Sequence, residues 1–320
     1  MKETALSYPS ADGHSTIRAW IYEPSGASAN PNKPFAPLAV IQIVHGVSEY
    51  SGRYQALIKF FVEKGYVVCA QDHIGHGQSA ASPDELGQMP LKGGAEALIA
   101  DVQHLRELVC GRYPASVPYV LLGHSMGSFI VRCYLASYGQ GVAAAICSGT
   151  AQTPAITSFF GHLMARLIAA IKGDGYRSGF LHNLGLGAYS KKIKDRRTEF
   201  DWLCSDPAVV DAYMADPLCG ARLTAGGYAT LTGLTRRMMA VKTLNATPKK
   251  LSLLFLSGQN DPVGHMGADP AQAFKDYHRV GVEYVDLKVF SGARHEIFNE
   301  PNKRSVYNHI EGWLKLRLGV

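Results

Sequence analysis

Leu38-Ala39-Val40-Ile41-Gln42-Ile43-Val44 is apolar at every position except Gln42. A strand with one wet face alternates apolar and polar residues. An uninterrupted run suits a strand covered on both faces, as in a parallel sheet enclosed by helices. Tyr66 to Ala70, Pro118 to Leu122 and Val142 to Cys147 repeat the pattern. Between them Ala56 to Lys64, Ala95 to Cys110 and Ser128 to Tyr138 carry apolar residues at helical spacing. This alternation predicts an α/β domain with a mostly parallel central sheet and helices on both faces. Ahead of it, Thr4 to Tyr22 reads as extended chain split by a turn at Ala11-Asp12-Gly13, and a Pro- and Ser-rich loop spans Pro24 to Pro37.

The rhythm stops near Thr153 and resumes near Thr247. The stretch between is helix-rich, punctuated by Gly173-Asp174-Gly175 and Gly185-Leu186-Gly187, and lacks a buried-strand pattern. Leu251 to Leu256 then reads as a strand, Asp269 to Val280 as a helix, Tyr284 to Phe290 as a strand and Ser305 to Leu318 as a terminal helix. The predicted organisation is a core from residues 1–152 and 248–320, interrupted by a helical cap over 153–247. A chain of 320 residues suits one catalytic domain with such an insertion.

The net charge of +6 is dispersed rather than massed in a tract, which argues against nucleic acid as a partner. Six cysteines form no C-x-x-C pair, and several lie in apolar runs as small buried hydrophobes, so no structural metal is expected. Free thiols suit a reducing compartment. Met1 to Thr4 lacks the apolar run of a secretory signal, and Phe159 to Ile171, broken by His162 and Arg166, reads as too short for a membrane span. The expectation is a soluble, cytoplasmic protein.

Gly123-His124-Ser125-Met126-Gly127 matches G-x-S-x-G between a buried strand and a helix. That context supplies the chemistry. A sharp strand-to-helix turn exposes the serine oxygen, glycines two residues away on each side remove clashes, and the helix N-terminus favours an oxyanion. Ser125 is the candidate nucleophile. A hydroxyl needs a base, and His295 follows the last predicted strand in Ser291-Gly292-Ala293-Arg294-His295-Glu296, whereas His278 and His309 fall within helical patterns. The candidate acid is Asp261, in the loop after the preceding strand, which would orient the imidazole. Asp206 and Asp216 are rivals that come too early, inside the insertion. Met126 N–H is one candidate oxyanion donor. Val47 N–H, after Gly46 in the loop past the first buried strand, is the other. His45 reads as a brace for that loop.

Three segments resemble the monoacylglycerol lipase and lysophospholipase branch of the α/β-hydrolase superfamily, related to its serine aminopeptidase-type hydrolases. They are His45-Gly46-Val47-Ser48-Glu49-Tyr50-Ser51-Gly52-Arg53-Tyr54, Asp72-His73-Ile74-Gly75-His76-Gly77-Gln78-Ser79 and Leu121-Leu122-Gly123-His124-Ser125-Met126-Gly127-Ser128. The resemblance implies the α/β-hydrolase fold, a Ser125–His295–Asp261 triad, oxyanion donors at Val47 and Met126, no cofactor, and a cap shaping an acyl pocket. It implies that Asp72-His73 and Gly75-His76-Gly77 are structural rather than metal ligands. Ser128 stands where that branch often has glycine or alanine, a change small enough to predict no loss of activity.

Phe159, Phe160, Leu163, Met164, Leu167, Ile168 and Ile171 recur at helical spacing in the insertion. Two readings stay open: a lid helix whose apolar face lines an acyl tunnel or touches lipid, and a cap helix packed on the domain below. On the first reading Phe159, Phe160 and Leu163 contact substrate, and membrane contact is at most peripheral. The expected partner is a small, lipid-like ester. The alternatives are a carboxylesterase for small or aromatic esters and an amidase or peptidase. An aminopeptidase needs acids for a free amine, and Asp195, Glu199 or Asp201 could supply them.

Overall fold

The computed structural model describes residues 1–25 and 35–320, so the central part of the Pro24–Pro37 loop lies outside the described residues. Eight strands form one sheet: β1 (Lys2–Pro9), β2 (Thr16–Glu23), β3 (Val40–Val44), β4 (Val67–Gln71), β5 (Tyr119–His124), β6 (Ala144–Ser148), β7 (Ser252–Gly258) and β8 (Tyr284–Phe290), in the order β1-β2-β4-β3-β5-β6-β7-β8. β1 and β2 are an antiparallel hairpin joined antiparallel to β4, and β3 to β8 run parallel. The mostly parallel sheet with helices on both faces is what the alternating pattern predicts, and the fold is the α/β-hydrolase fold that the resemblance implies.

The helices are α1 (Gln55–Glu63), α2 (Gly94–Cys110), α3 (Met126–Tyr138), α4 (Ala155–Lys172), α5 (Gly179–Leu184), α6 (Pro207–Ala215), α7 (Ala225–Met238), α8 (Val241–Ala246), α9 (Ala268–Arg279) and α10 (Lys303–Leu318). Strand residues alternate between two apolar clusters. Ile41 and Ile43 pack with Leu57 and Phe61 of α1 and with Val306 and Ile310 of α10. Val40 and Val44 face the other way, with Leu98 of α2, Ile130 of α3 and Tyr277 of α9. Gln42, the one polar residue of its run, donates to Val102 O (3.1 Å) and accepts from Tyr119 O–H (2.7 Å), so its buried amide is satisfied.

The chain visits β3, then β4 to one side, then β5 to the other. The loops after β3 and β5 therefore part at a crevice at the carboxyl ends of the strands, where open α/β sheets bind ligands. Between β6 and β7 run α4 to α8, with no strand among the described residues. α7 packs on α2 and α3, and α4 packs on α7 as a further layer. α4 is longer than the sequence pattern suggests: at 18 residues with a mean hydropathy of 1.2 it meets the length and composition of a membrane span. Its Ala165 and Ala169 are buried, and His162 Nδ1 bonds Ala229 O of α7 (3.0 Å), so one face is docked on α7.

Candidate active site

Ser125 sits between β5 and α3 at φ 52°, ψ −121°, a conformation that costs a non-glycine residue energy and recurs at functional sites. Its N–H donates to Ser148 O of β6 (2.9 Å). The bend leaves no room for flanking side chains: a Cβ on Gly127 would lie 1.9 Å from Val44 O, and one on Gly123 2.4 Å from Gly127 O. Both glycines are thus required by close approach. Met126 N–H is the first amide of α3, where no upstream carbonyl of the helix can accept it.

His295 is buried, and its Nδ1 lies 2.9 Å from Asp261 Oδ2. A carboxylate only accepts, so Nδ1 carries the proton and Nε2 of the neutral ring is free as a base. Nε2 is buried with no hydrogen-bond partner among the described residues. Asp261 is held in turn by Val263 N–H on Oδ1 (2.9 Å). Burial works against the imidazolium, but the Asp261 carboxylate and its hydrogen bond, then Glu296 and Glu49, outweigh it and raise the His295 pKa. His124 packs on His295 with the rings tilted at 46° and 4.7 Å between centroids, and burial and His295 hold its pKa well below the ordinary histidine value. The rivals lie elsewhere: Asp206 caps α6 by accepting from Ala208 N–H (2.9 Å), and Asp216 accepts from Tyr50 O–H (3.0 Å).

Ser125, His295 and Val47 line one cavity with His124, Glu49 and Glu296 from the core and Leu186, Phe200, Trp202, Leu203 and Tyr213 from the cap. It measures about 30 Å³, room for roughly two waters. Its lining also includes the polar pair His182 and Glu199, with His182 Nε2 3.7 Å from Glu199 Oε2. Phe159, Phe160 and Leu163 are not among the lining residues. They are 47, 59 and 41% exposed, because α4 turns its small residues toward α7 and its large ones outward. The spacing that reveals an amphipathic helix does not say which stripe is covered, and the three residues expected beside the substrate lie outside the cavity that Ser125 lines. Of the acids considered for an amine, Glu199 reaches the cavity; Asp201 is turned onto Thr198 and the Arg197 backbone.

The upstream segments behave as braces. His73 N–H donates to His45 Nε2 (2.9 Å), which fixes the His45 proton on Nδ1, bonded to Gly46 O (2.7 Å). Asp72 accepts from Ser51 N–H (2.9 Å) and O–H (2.6 Å) and from Gln78 N–H (2.8 Å), pinning the loops after β3 and β4 together. Sequence reasoning gave no role to Glu49, Arg53 or Glu296. Yet Glu49 accepts from Gly46 N–H (2.6 Å), and Arg53 bridges Glu49 and Glu296. A signal existed, since ionisable residues stand directly beside the candidate base and oxyanion loop. Trp202, whose ring lies 5.2 Å from His295, carried none, because its contact spans 93 residues of chain.

A family model described as serine aminopeptidase, S33, matches residues 36–302. The chain is 30% identical over 279 residues to a monoacylglycerol lipase of Mycolicibacterium smegmatis, covering 87% of this chain and 88% of that one. It is 27% identical over 288 residues to human monoglyceride lipase, covering 88% and 84%. The crystal structure of a highly thermostable carboxyl esterase from Bacillus coagulans, in complex with glycerol, superposes with a TM-score of 0.89 at 29% identity over 99% of both chains.

Proposed function

The chain belongs to the serine aminopeptidase S33 family of the α/β-hydrolases and is a serine ester hydrolase, and from that premise we propose that it cleaves single-chain lipid esters, monoacylglycerols or lysophospholipids, through Ser125, His295 and Asp261. The observation that carries the reading is the buried, unpartnered Nε2 of His295, opposite an Nδ1 held by Asp261 in the cavity that Ser125 lines. Ser125 Oγ attacks the ester carbonyl as His295 Nε2 takes its proton. The oxyanion rests on Val47 and Met126 N–H, donors of a kind worth about 3 kcal/mol each. His295 returns the proton to the leaving alcohol, and water activated by the same ring releases the acid. No step needs a cofactor.

Lipid esters are favoured by two monoacylglycerol lipases among the relatives and by the apolar outer face of α4, which would meet a lipid aggregate peripherally. An acyl chain needs more space than about 30 Å³, so cap side chains that line the cavity, Leu186, Trp202 and Leu203 among them, would have to give way to admit it. The same narrowness supports a second reading, a carboxylesterase for small esters. An amidase or aminopeptidase has less support, because Glu49 and Glu296 are engaged by Arg53 and Glu199 is the cavity's other carboxylate.

The test is a chain-length series of p-nitrophenyl esters beside monoacylglycerol and lysophosphatidylcholine. Turnover that rises with chain length and extends to either lipid supports the first reading; turnover confined to acetate and butyrate supports the second. Ser125→Ala should abolish hydrolysis while leaving the melting temperature intact, and undiminished turnover overturns the nucleophile.

A further inference from the structure

We propose that Arg53 is a positioning residue: through Glu49, Glu296 and Tyr213 it holds the oxyanion loop, the loop carrying His295 and the cap in one register for acyl transfer. The inference rests on the reading of His295 as the base. Glu49 fixes the oxyanion loop, its Oε1 accepting from Gly46 N–H (2.6 Å), one residue before Val47, and from Tyr54 O–H (2.8 Å). Its Oε2 lies 3.2 Å from Arg53 Nη1. The same guanidinium grips both oxygens of Glu296, Nη2 to Oε2 at 2.7 Å, and the Glu296 N–H donates to Leu203 O of the cap (2.7 Å). On its face the guanidinium stacks on the Tyr213 ring at 4.7 Å, and Tyr213 O–H donates to Ser48 O (2.8 Å). The chain of contacts thus leaves the oxyanion loop at Gly46, passes through Arg53 to the base loop and cap, and returns at Ser48.

Stability alone does not explain this cluster. Buried ion pairs can often be replaced by apolar residues at little or no loss of stability, so a cation between two buried carboxylates calls for another reason. Geometry provides one: a bidentate guanidinium fixes distance and angle together, which a lysine cannot. Electrostatics provides a second. Arg53 holds the Glu296 carboxyl low, at about 2, whereas burial and Glu296 raise Glu49, so Glu296 is the firmer of the two negative charges near His295. The other titratable groups against that ring are Asp261 from the loop after β7 and His124 from the end of β5, and the half-buried Tyr189 of the cap packs on Trp202 beside it. His182, Glu199 and Arg222 line the same cavity and make no hydrogen bond to that ring. Neutralising Glu296 would leave Glu49 and Arg53 to cancel, withdraw support from the imidazolium, and move the acid limb of activity to lower pH.

The experiment measures kcat and KM for p-nitrophenyl butyrate from pH 5 to 9 for the wild type, Glu296→Gln, Glu49→Gln, Arg53→Lys and Arg53→Met, with thermal melting as the check on folding. Loss of wild-type turnover in Ser125→Ala comes first. If that turnover persists, the reading of the site has failed rather than the role of Arg53. Glu296→Gln should move the acid limb of kcat/KM down by about half to one pH unit, and Glu49→Gln should move it less in the same direction. Arg53→Lys should lower kcat about tenfold with KM within about twofold, and Arg53→Met should lower it further. If Glu296→Gln does not fold, Glu49→Gln and Arg53→Lys carry the same test. An unmoved acid limb in the folded glutamine variants, or an Arg53→Lys loss confined to KM, overturns the proposal.

Discussion

The sheet and the insertion meet at Ser125 but are built differently. Every residue of β3, β5, β6 and β7 is buried, and the loops at their carboxyl ends are tied by buried carboxylates and histidines. In the insertion, Ile156, Phe159, Phe160, Leu163, Met164, Leu167 and Ile171 of α4 present large apolar side chains to solvent. A water-exposed stripe of that size has no packing reason in an isolated molecule. On the proposed reading the contrast divides the labour: the core holds the candidate reacting groups in fixed backbone geometry, while the cap exposes apolar surface and lines the cavity with Trp202 and Leu203.

The sharpest way to break that division is to disable the acid in each region. Asp261→Asn keeps the shape of the side chain but favours the wrong imidazole tautomer, so kcat on p-nitrophenyl butyrate should fall by roughly 10⁴. Asp206→Asn, in the cap, should leave kcat unchanged, because asparagine caps the N-terminus of α6 as well as aspartate does. A larger loss from Asp206→Asn would move the acid into the insertion and undo the comparison. Next in size is a core cavity. Leu254 of β7 is about 1% exposed. Leu254→Ala should therefore cost about 2–5 kcal/mol in denaturant titration, with the active fraction of the protein turning over normally.

The same division explains what the sequence made legible. Val40–Val44 and Ser252–Gly258 were readable because a strand buried on both faces has no polar alternation to confuse it. The candidate triad Ser125, Asp261 and His295 could be proposed from sequence because each residue follows its own strand. Each lies near the end of an apolar run, and the parallel topology brings those ends together. The environment of His295 was not readable in the same way. Glu49, Arg53 and Glu296 are ordinary charged residues until the loops after β3 and β8 converge, and Trp202 arrives from the other side of a long helical excursion. For α4, periodicity revealed the helix but not its buried face, since Ala165 and Ala169 look less like a packing surface than Phe159 and Leu163 do.

The smallest expected effect on stability is the one that tests the exposed face directly. Phe160 is 59% exposed. Phe160→Ser removes little packing, so its stability should stay within about 0.5 kcal/mol of the wild type. The Ser125 cavity does not include Phe160, so kcat/KM on soluble p-nitrophenyl butyrate should not change. Turnover of monoacylglycerol presented in vesicles should fall several-fold, because a smaller apolar face holds the enzyme less well at the interface. The informative quantity is the ratio of the two activities, which cancels differences in active concentration. A fall in both by the same factor would mean that α4 acts on the cavity through the cap. An unchanged ratio would mean that its apolar face serves something other than the presentation of substrate, and the division between a reacting core and a substrate-gathering cap would then have to be redrawn at Trp202 and Leu203.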